Sequence, residues 1–370
     1  MYHLIFIVKI KIIMKVCIVG NGLTALTLAK TLVNRGIYVD IFFDSKTIKI
    51  NKNRTLAISK SNIEFFNKNI ANIDRFLWKI NNIEIYSEQL DNKKILNFQN
   101  NNNYLFSIIK NQKLLNYLQS VLKKNKFIKF KKIMIKPDLL MKKYNLIFNC
   151  DPNSKILKKY IYKSINKSYK SYAHTAIINH KKFTNNNTAT QTFTKNGPLA
   201  FLPISETETS VVYSCRGKKI IELENSIKKF NTKYSILGVD KSSNFELKLS
   251  NLRSYRYKNI LAFGDLLHRL HPLAGQGFNM SIRDIQVILK LINNNIELGL
   301  ELDKSIFINF EKETKHKNYI FSNGIDFVYE FFSFESKINT KILSQSVKLL
   351  GNNRFLNKFF TKFADNGIAN

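Results

Sequence analysis

Acidic residues are scarce in this chain. Of its 370 residues only 26 are Asp or Glu, against 59 Lys or Arg, and the formal net charge is +33. Such an excess invites a nucleic-acid reading. Yet no recognised nucleic-acid-binding module is present, and the lysines are scattered among asparagines and isoleucines. Asn runs at 100–103, 185–187 and 293–295 carry the same bias, that of an AT-rich coding sequence. Nucleic acid is therefore not an expected partner. A cationic surface is still drawn to anionic lipid headgroups, so weak membrane-surface association is expected. Cysteine is also rare: Cys17, Cys150 and Cys215 fit neither a zinc site nor a disulfide framework, which implies a reducing compartment. Each reads as a buried small apolar residue.

A membrane-spanning run is lacking. Met1 to Ile13 is apolar but carries Lys9 and Lys11, and it is too short to cross a bilayer. No small-residue cleavage site follows it, which argues against a signal peptide. Translation is expected to start at Met14; a short membrane-touching arm is the other reading. The expected location is the cytoplasm, with peripheral attachment to the inner face of the membrane. Internal repeats, carboxylate clusters and nucleophilic triads are absent as well. What is present is 44% hydrophobic residues, enough for a large core in two intertwined domains.

Lys15 to Val19 reads as a buried parallel strand, and Leu26, Leu28, Ala29, Leu32 and Val33 mark a helix that Gly36 closes. Between them lies Gly20-Asn21-Gly22-Leu23-Thr24-Ala25. Gly20 permits the tight turn, Gly22 lets backbone approach a pyrophosphate, and small Ala25 allows close helix–strand packing. A second strand, Tyr38 to Phe43, ends at Asp44, where a carboxylate can hold ribose hydroxyls. Together these point to a bound dinucleotide.

The stretch from Gly264-Asp265 through His268, His271, Pro272, Gly275, Gln276, Gly277, Phe278 and Asn279 follows the apolar strand Ile260–Phe263 and runs into a helix. A carboxylate at a strand end, a proline-bent loop and a glycine pair at a helix start make a cradle for a polar, hydroxyl-bearing cofactor. With the turn at Gly20, they point to FAD. Elsewhere, Leu114, Leu115 and Leu118 mark a helix, and Tyr144 to Cys150 a core strand. Thr175–Ile178, Thr188–Thr194, Leu199–Ile204 and Ser210–Cys215 read as four antiparallel strands of a separate sheet. Residues 300–370 look helical. The aromatic run Phe327, Val328, Tyr329, Phe331, Phe332 and Phe334 reads as core packing, with contact to a prenyl tail or membrane as the alternative. Trp78 reads as core.

With these pieces in order, the chain resembles the class A FAD-dependent monooxygenases, and within them the ubiquinone-biosynthesis hydroxylases (UbiH-type). Four blocks carry the resemblance: Gly20–Ala25 with Asp44; Arg54-Thr55-Leu56-Ala57-Ile58-Ser59; Phe193-Thr194-Lys195-Asn196-Gly197-Pro198-Leu199-Ala200-Phe201-Leu202-Pro203; and Gly264–Asn279 continued by Met280-Ser281-Ile282-Arg283-Asp284. The similarity runs from about residue 15 to 335. The segment Asn149-Cys150-Asp151-Pro152-Asn153-Ser154 stands where the family has a G-A-D-G pattern linked to reduced-nicotinamide handling. The stretch 126–150 is too short for the family's β-meander.

The resemblance implies an α/β fold. A Rossmann-like FAD-binding domain, glutathione-reductase-type and para-hydroxybenzoate-hydroxylase-like, is interrupted by a substrate domain with an antiparallel sheet, and C-terminal helices follow. The implied division is 14–70, 105–160 and 251–295 for the FAD domain, 71–104 and 161–250 for the substrate domain, and 296–370 for the helices. Gly20, Gly22 and Ala25 then serve the pyrophosphate, Asp44 the adenosine ribose, and Asp265, beside Gly264, the ribityl chain or pyrophosphate. Arg54 lies near the cofactor. Pro272, Gly275, Gln276, Gly277, Phe278 and Asn279 border the isoalloxazine. Asp151 is either a nucleotide contact or a loop cap. His268 is expected to be structural, and Asp284 to be tied to Arg283.

The implied activity is hydroxylation of a polyprenylated phenol ring in ubiquinone biosynthesis, using NAD(P)H and dioxygen through a flavin 4a-hydroperoxide. The chemistry is flavin-centred, with no side-chain nucleophile and no metal. Two alternatives stay open: a flavin oxidoreductase of the same fold without hydroxylation, and a non-catalytic flavin- or lipid-binding subunit of a quinone-biosynthesis complex.

Overall fold

The computed structural model describes residues 15–44, 53–99, 104–132, 136–217, 222–269, 276–338 and 345. Met1–Ile13 and Met14 lie outside them. The chain runs β1 (Lys15–Val19), α1 (Leu23–Val33), β2 (Tyr38–Phe42), β3 (Thr55–Ser59), α2 (Lys60–Asn69), β4 (Trp78–Ile80), β5 (Asn82–Ser87), β6 (Lys93–Gln99), β7 (Phe106–Lys110), α3 (Asn111–Lys123), β8 (Ile128–Lys131), α4 (Pro137–Lys143), β9 (Leu146–Asn149) and α5 (Lys155–Tyr160). There follow β10 (Ser164–His180), β11 (Thr188–Thr194), β12 (Gly197–Pro203), β13 (Glu208–Arg216), α6 (Leu223–Phe230), β14 (Ile236–Val239), β15 (Ser243–Leu252), β16 (Arg256–Tyr257), β17 (Ile260–Ala262), β18 (His268–Arg269), α7 (Gln276–Glu297) and α8 (Lys304–Ile338).

One sheet has the order β16-β17-β9-β1-β2-β8 and is parallel except at the β16 edge. Its central strands β1, β2, β9 and β17 are buried on both faces because packed elements cover both, as in other parallel sheets. Chain order reverses between β1 and β9. Open α/β sheets have their ligand crevice at such a switch, beyond the strands' carboxyl ends. The connection from β8 to β9 carries the seven-residue α4, with Pro137 at its start.

A buried carboxylate pins this sheet. Asp40 in the middle of β2 accepts from Lys131 at 2.8 Å, pairs with Lys15 at 3.1 Å, and accepts from the Tyr144 hydroxyl. Burial alone would raise its pKa; the hydrogen bonds from Lys131, Tyr144 and Lys15 outweigh that and hold it below the usual carboxylate value. A depressed folded value means the stabilisation is complete above the unfolded pKa of about 4 and is lost as pH falls through the folded one. Asp40→Asn is expected to cost about 1–3 kcal/mol at neutral pH. Urea denaturation should show that gap narrowing in acid, below about pH 4, where wild type loses the same bonds.

The second sheet has nine strands in the order β18-β15-β10-β13-β12-β11-β5-β6, with β14 on β10. All pairings are antiparallel except β11 with β5. The four strands read from sequence are β10 to β13. β10 is far longer than the apolar stretch 175–178 because its polar first half is completed by pairing with β15. β18, within the stretch 251–295, also joins this sheet. α6 covers one face, with Leu223 and Ile227 on Ala176, Leu199, Phe201, Val211 and Tyr213. A three-stranded sheet, β3-β7-β4, packs on the other face at Ala189 and Leu202. There half-buried Trp78 donates its indole N–H to Asn186 O at 2.6 Å.

α8 joins the two sheets. Phe307 meets Phe148 of β9 edge-on, Phe310 packs tilted on Phe263 just beyond β17, and Asp326 pairs with Lys167 of β10 at 2.9 Å. The expectation of core packing for the aromatic run is corrected here. Phe327 is 68% and Phe334 59% exposed, because the helix has by then passed beyond the core it covers with Phe310 and Phe321. Phe331 is half-buried; the side chains of Val328, Tyr329 and Phe332 lie outside the described residues.

Candidate functional site

Three loops meet at the switch between β1 and β9. Gly20 leaves β1 with φ +109°, a conformation that favours glycine, and donates its N–H to Phe42 O at 2.8 Å. A Cβ on it would lie 3.2 Å from Asp151 N and Cys150 C, so the two loops touch through backbone. Gly22 is the N-cap of α1. It offers no side-chain cap, the first turn has no acidic residue, and a Cβ there would meet nothing within 4 Å. The N–H groups of that turn and the positive end of the helix dipole therefore face open space, which is what a pyrophosphate requires. Ala25 behind them is fully buried.

The third loop is held by an equally close approach. Gly264, φ +71°, would place a Cβ 2.6 Å from Thr24 Cγ2. This seats the Gly264–Leu266 turn on the start of α1 and leaves Asp265 exposed at the crevice mouth. Asp44 stands half-buried two residues beyond β2. Asp151 acts as a loop cap: Oδ1 accepts from Asn153 N at 2.9 Å, and its carbonyl accepts from Ser154 N. The Cys150 thiol is pushed up by burial and then by the charges of Asp265 and Asp151, so it stays protonated and inert. Burial likewise raises Cys17.

Arg54 is exposed at the head of β3, its carbonyl accepting from Asn111 N at 3.0 Å. At the start of α7, Gly277 faces open space, and Gln276 is buried with Oε1 3.5 Å from Arg283 Nη2. Phe278 is turned into the main core. Asn279 is spent on protein: Oδ1 accepts from Ser59 N and Asn62 Nδ2, both at 3.0 Å, and Nδ2 donates to Ala57 O at 2.9 Å. These two side chains hold α7 on β3 and α2 and so place the helix start. Pro272, Gly275 and His271 lie outside the described residues.

His268 is buried and its Nε2 lies 2.7 Å from Asp284 Oδ2, while Asn318 Nδ2 donates to Asp284 Oδ1 at 3.0 Å. The expected tie between Asp284 and Arg283 is thereby corrected. Arg283 instead sits with its guanidinium carbon 4.7 Å from the ring centroid of Phe321, one turn from Asn318 on α8. Sequence spacing could not show this, since residue 318 lies on another helix. Beside Asp265 opens a cleft of about 290 Å³, lined among others by Leu157, Lys158, Tyr162, Ser250 and Arg269. Among the described residues no group of three or more His, Cys, Asp or Glu could hold a metal ion.

The arrangement fits a flavin dinucleotide. The groups that could hold it are the uncapped helix start at Gly22, the carboxylates of half-buried Asp44 and exposed Asp265, and the second glycine-bearing helix start at Gln276–Gly277. No family model matches the chain. It is 22% identical to the mitochondrial ubiquinone biosynthesis monooxygenase COQ6 of Schizosaccharomyces pombe over 60% of this chain and 57% of that protein. It is 27% identical to the 3-demethoxyubiquinol 3-hydroxylase of Escherichia coli over 39% of each. The chain spans about half the length of the curated relatives it matches. Among solved structures, p-nitrophenol 4-monooxygenase of Pseudomonas putida superimposes with a TM-score of 0.76 at 12% identity, covering 97% of this chain and 99% of that one. HpxO of Klebsiella pneumoniae, with FAD and uric acid, gives 0.74 at 10% identity over 95% and 96%. The fold is that of the FAD-dependent monooxygenases.

Proposed function

We propose that this chain is an FAD-dependent monooxygenase that hydroxylates the ring of a polyprenylated phenol in ubiquinone biosynthesis, with NAD(P)H as reductant and dioxygen as oxygen source. The observation that carries this reading is the uncapped, open helix start at Gly22 with the Gly264-Asp265 turn seated on Thr24 of the same helix. Gly20, Gly22 and Ala25 would hold the pyrophosphate, Asp44 the ribose, Asp265 the ribityl chain, and Gln276 and Gly277 the ring. Arg54, just ahead of β3, would lie near the cofactor. FAD, when bound, supplies the redox chemistry of such a reaction.

The chain's own part is to hold the substrate and keep water out. Leu199, Phe201, Val211 and Tyr213 face α6, so Ala200 and Val212 face the opposite side. Cross-strand register puts Gln191, Ala200, Val212 and Thr175 in one row on that side. Thr55, next to Arg54, reaches the same face through a 3.0 Å bond to Ser210. Gln191, Ala200 and Val212 are only half-buried although they lie mid-sheet. An aromatic ring could lie on this row, with apolar cover at either side from the clusters around Leu202 and Phe193.

The purified protein is expected to be yellow, to release FAD on denaturation, and to oxidise NADH or NADPH faster when a prenylphenol is added. Labelled dioxygen should enter the product. A flavin-bearing protein that leaves the label out would instead be an oxidoreductase of this fold without hydroxylation. Peripheral attachment to an anionic membrane, where a quinone-biosynthesis complex could assemble, is part of the same proposal. Exposed Phe327 and Phe334 and the charge of +33 support it. No helix among the described residues is long and apolar enough to cross a membrane.

A further inference from the structure

We infer that Asn62 is a positioning residue: buried in α2, it locks the side chain of Asn279 and so fixes the first turn of α7 on the end of β3. The functional side of this inference rests on the reading that the helix start at Gln276–Gly277 borders the flavin ring.

Asn62 stands where a packing residue would serve. It shares the buried face of α2 with Ile63 and Phe66, and it is 0% exposed. An amide sealed from water is costly unless its polar atoms are paired. Here they are. Nδ2 donates to Asn279 Oδ1 at 3.0 Å and to Ser59 Oγ at 2.9 Å, and Oδ1 accepts from Gln286 Nε2 at 3.2 Å. Two of these partners lie on α7 and the third closes β3.

Backbone groups set the direction of the bonds. Asn279 Oδ1 accepts from Ser59 N, and Asn279 Nδ2 donates to Ala57 O. A backbone N–H only donates and a carbonyl only accepts, so the Asn279 amide cannot turn over. The side chain at 62 therefore has to present a donor to it. Gln286 donates to the other end of the Asn62 amide and holds it in the orientation that supplies that donor. From the backbone of β3 through residues 279, 62 and 286, no amide can reverse without setting donor against donor. Buried networks satisfied in this way specify a single arrangement. Asn279 follows Gln276 by three residues and Gly277 by two, within one helical turn, so the grip on its side chain is a grip on the helix start.

The free N–H groups of that start carry the positive end of the helix dipole, which favours negative charge beside it. A flavin ring gains negative charge on reduction. A firmly placed helix start therefore favours the reduced form over the oxidised one, and a loosened start favours it less.

The test compares Asn62→Leu, which is close in size and removes both donations, with Ile63→Val, a buried apolar control at the next position. Four quantities are read on the full chain. They are hydrogen exchange of the backbone amides of Met280, Ser281 and Ile282 in FAD-free protein, which bond back to residues 276–278; the FAD dissociation constant from flavin fluorescence; the reduction potential of the bound flavin; and the melting temperature. Asn62→Leu should speed exchange at those amides and weaken oxidised FAD about tenfold. It should weaken reduced FAD by about a further tenfold, a fall of about 30 mV in the potential of a two-electron couple. Ile63→Val should lower the melting temperature and leave the other three readouts at their wild-type values.

Unchanged exchange in Asn62→Leu overturns the grip. Faster exchange with unchanged affinity and potential overturns its role toward the cofactor. The same losses in Ile63→Val would trace them to general stability, which also overturns it. If wild type takes up no FAD, the proposed function fails, and the exchange measurement still decides the grip. Should Asn62→Leu not fold, Gln286→Leu enters the same comparison: it frees the Asn62 amide to turn over, and smaller shifts in the same directions are expected.

Discussion

Gly197→Ala is expected to leave little stable protein. Gly197 opens β12 with φ +136°, and a Cβ built on it would lie 2.0 Å from the carbonyl oxygen of Ser214 on β13. That distance is far inside van der Waals contact, and the atom it meets is backbone in the middle of a sheet. No rotamer change can relieve it. The β11–β12 turn is also held from several sides: Thr194 Oγ1 donates to Gly197 O at 2.7 Å, and Arg216 N donates to Asn196 O at 3.0 Å. Strained φ and overpacking together should cost about 3–5 kcal/mol, a large share of the roughly 5–15 kcal/mol of a whole domain. Thermal melting should show a midpoint lowered by about 6–20 °C. A midpoint within two or three degrees of wild type would mean that the strands separate here at little cost.

Gly22→Asp should act in the opposite sense on stability and still abolish flavin binding. The position has φ −71° and open space around it, so a side chain is accommodated without strain. Aspartate is among the best N-cap residues, and this helix has no side-chain cap; a gain of about 0.5–1 kcal/mol in the FAD-free protein follows. The same carboxylate occupies the N–H groups that the pyrophosphate needs and repels its charge. The FAD dissociation constant should rise at least about a hundredfold, since close like charges cost several kcal/mol. A variant that melts higher without FAD and no longer gains from added FAD is the expected signature. If it remains yellow through purification, the crevice at Gly22 is not the pyrophosphate site.

The two glycines show where reading a sequence succeeds and where it stops. The strand–Gly20–helix unit was evident because a turn, a cap and an amphipathic helix are decided within a dozen neighbouring residues. The same holds for the strand at 260 and the helix after Gln276. Gly197, in contrast, sits in a motif whose wording marked the substrate domain but not the carbonyl of Ser214 pressing on it. Asp40 gave no signal at all. It stands inside an apolar strand, and its partners Lys15, Lys131 and Tyr144 come from three separate segments. The exposed Phe327 and Phe334 misled for a related reason, since an aromatic stripe looks the same whether or not a core lies beneath it.

By itself, then, the amino-acid order determined the dinucleotide turn, the second glycine-led helix start and the alternation of the sheet strands, because backbone conformation and side-chain period are local properties. Only the tertiary structure decided that Asn279 grips Ser59, 220 residues away, and that Asp284 serves His268 and Asn318 and not its neighbour Arg283. It also decided which face of the nine-stranded sheet α6 covers and which takes the three-stranded sheet. Those choices follow from which distant surfaces exclude water against one another, and a short-range pattern carries no record of that.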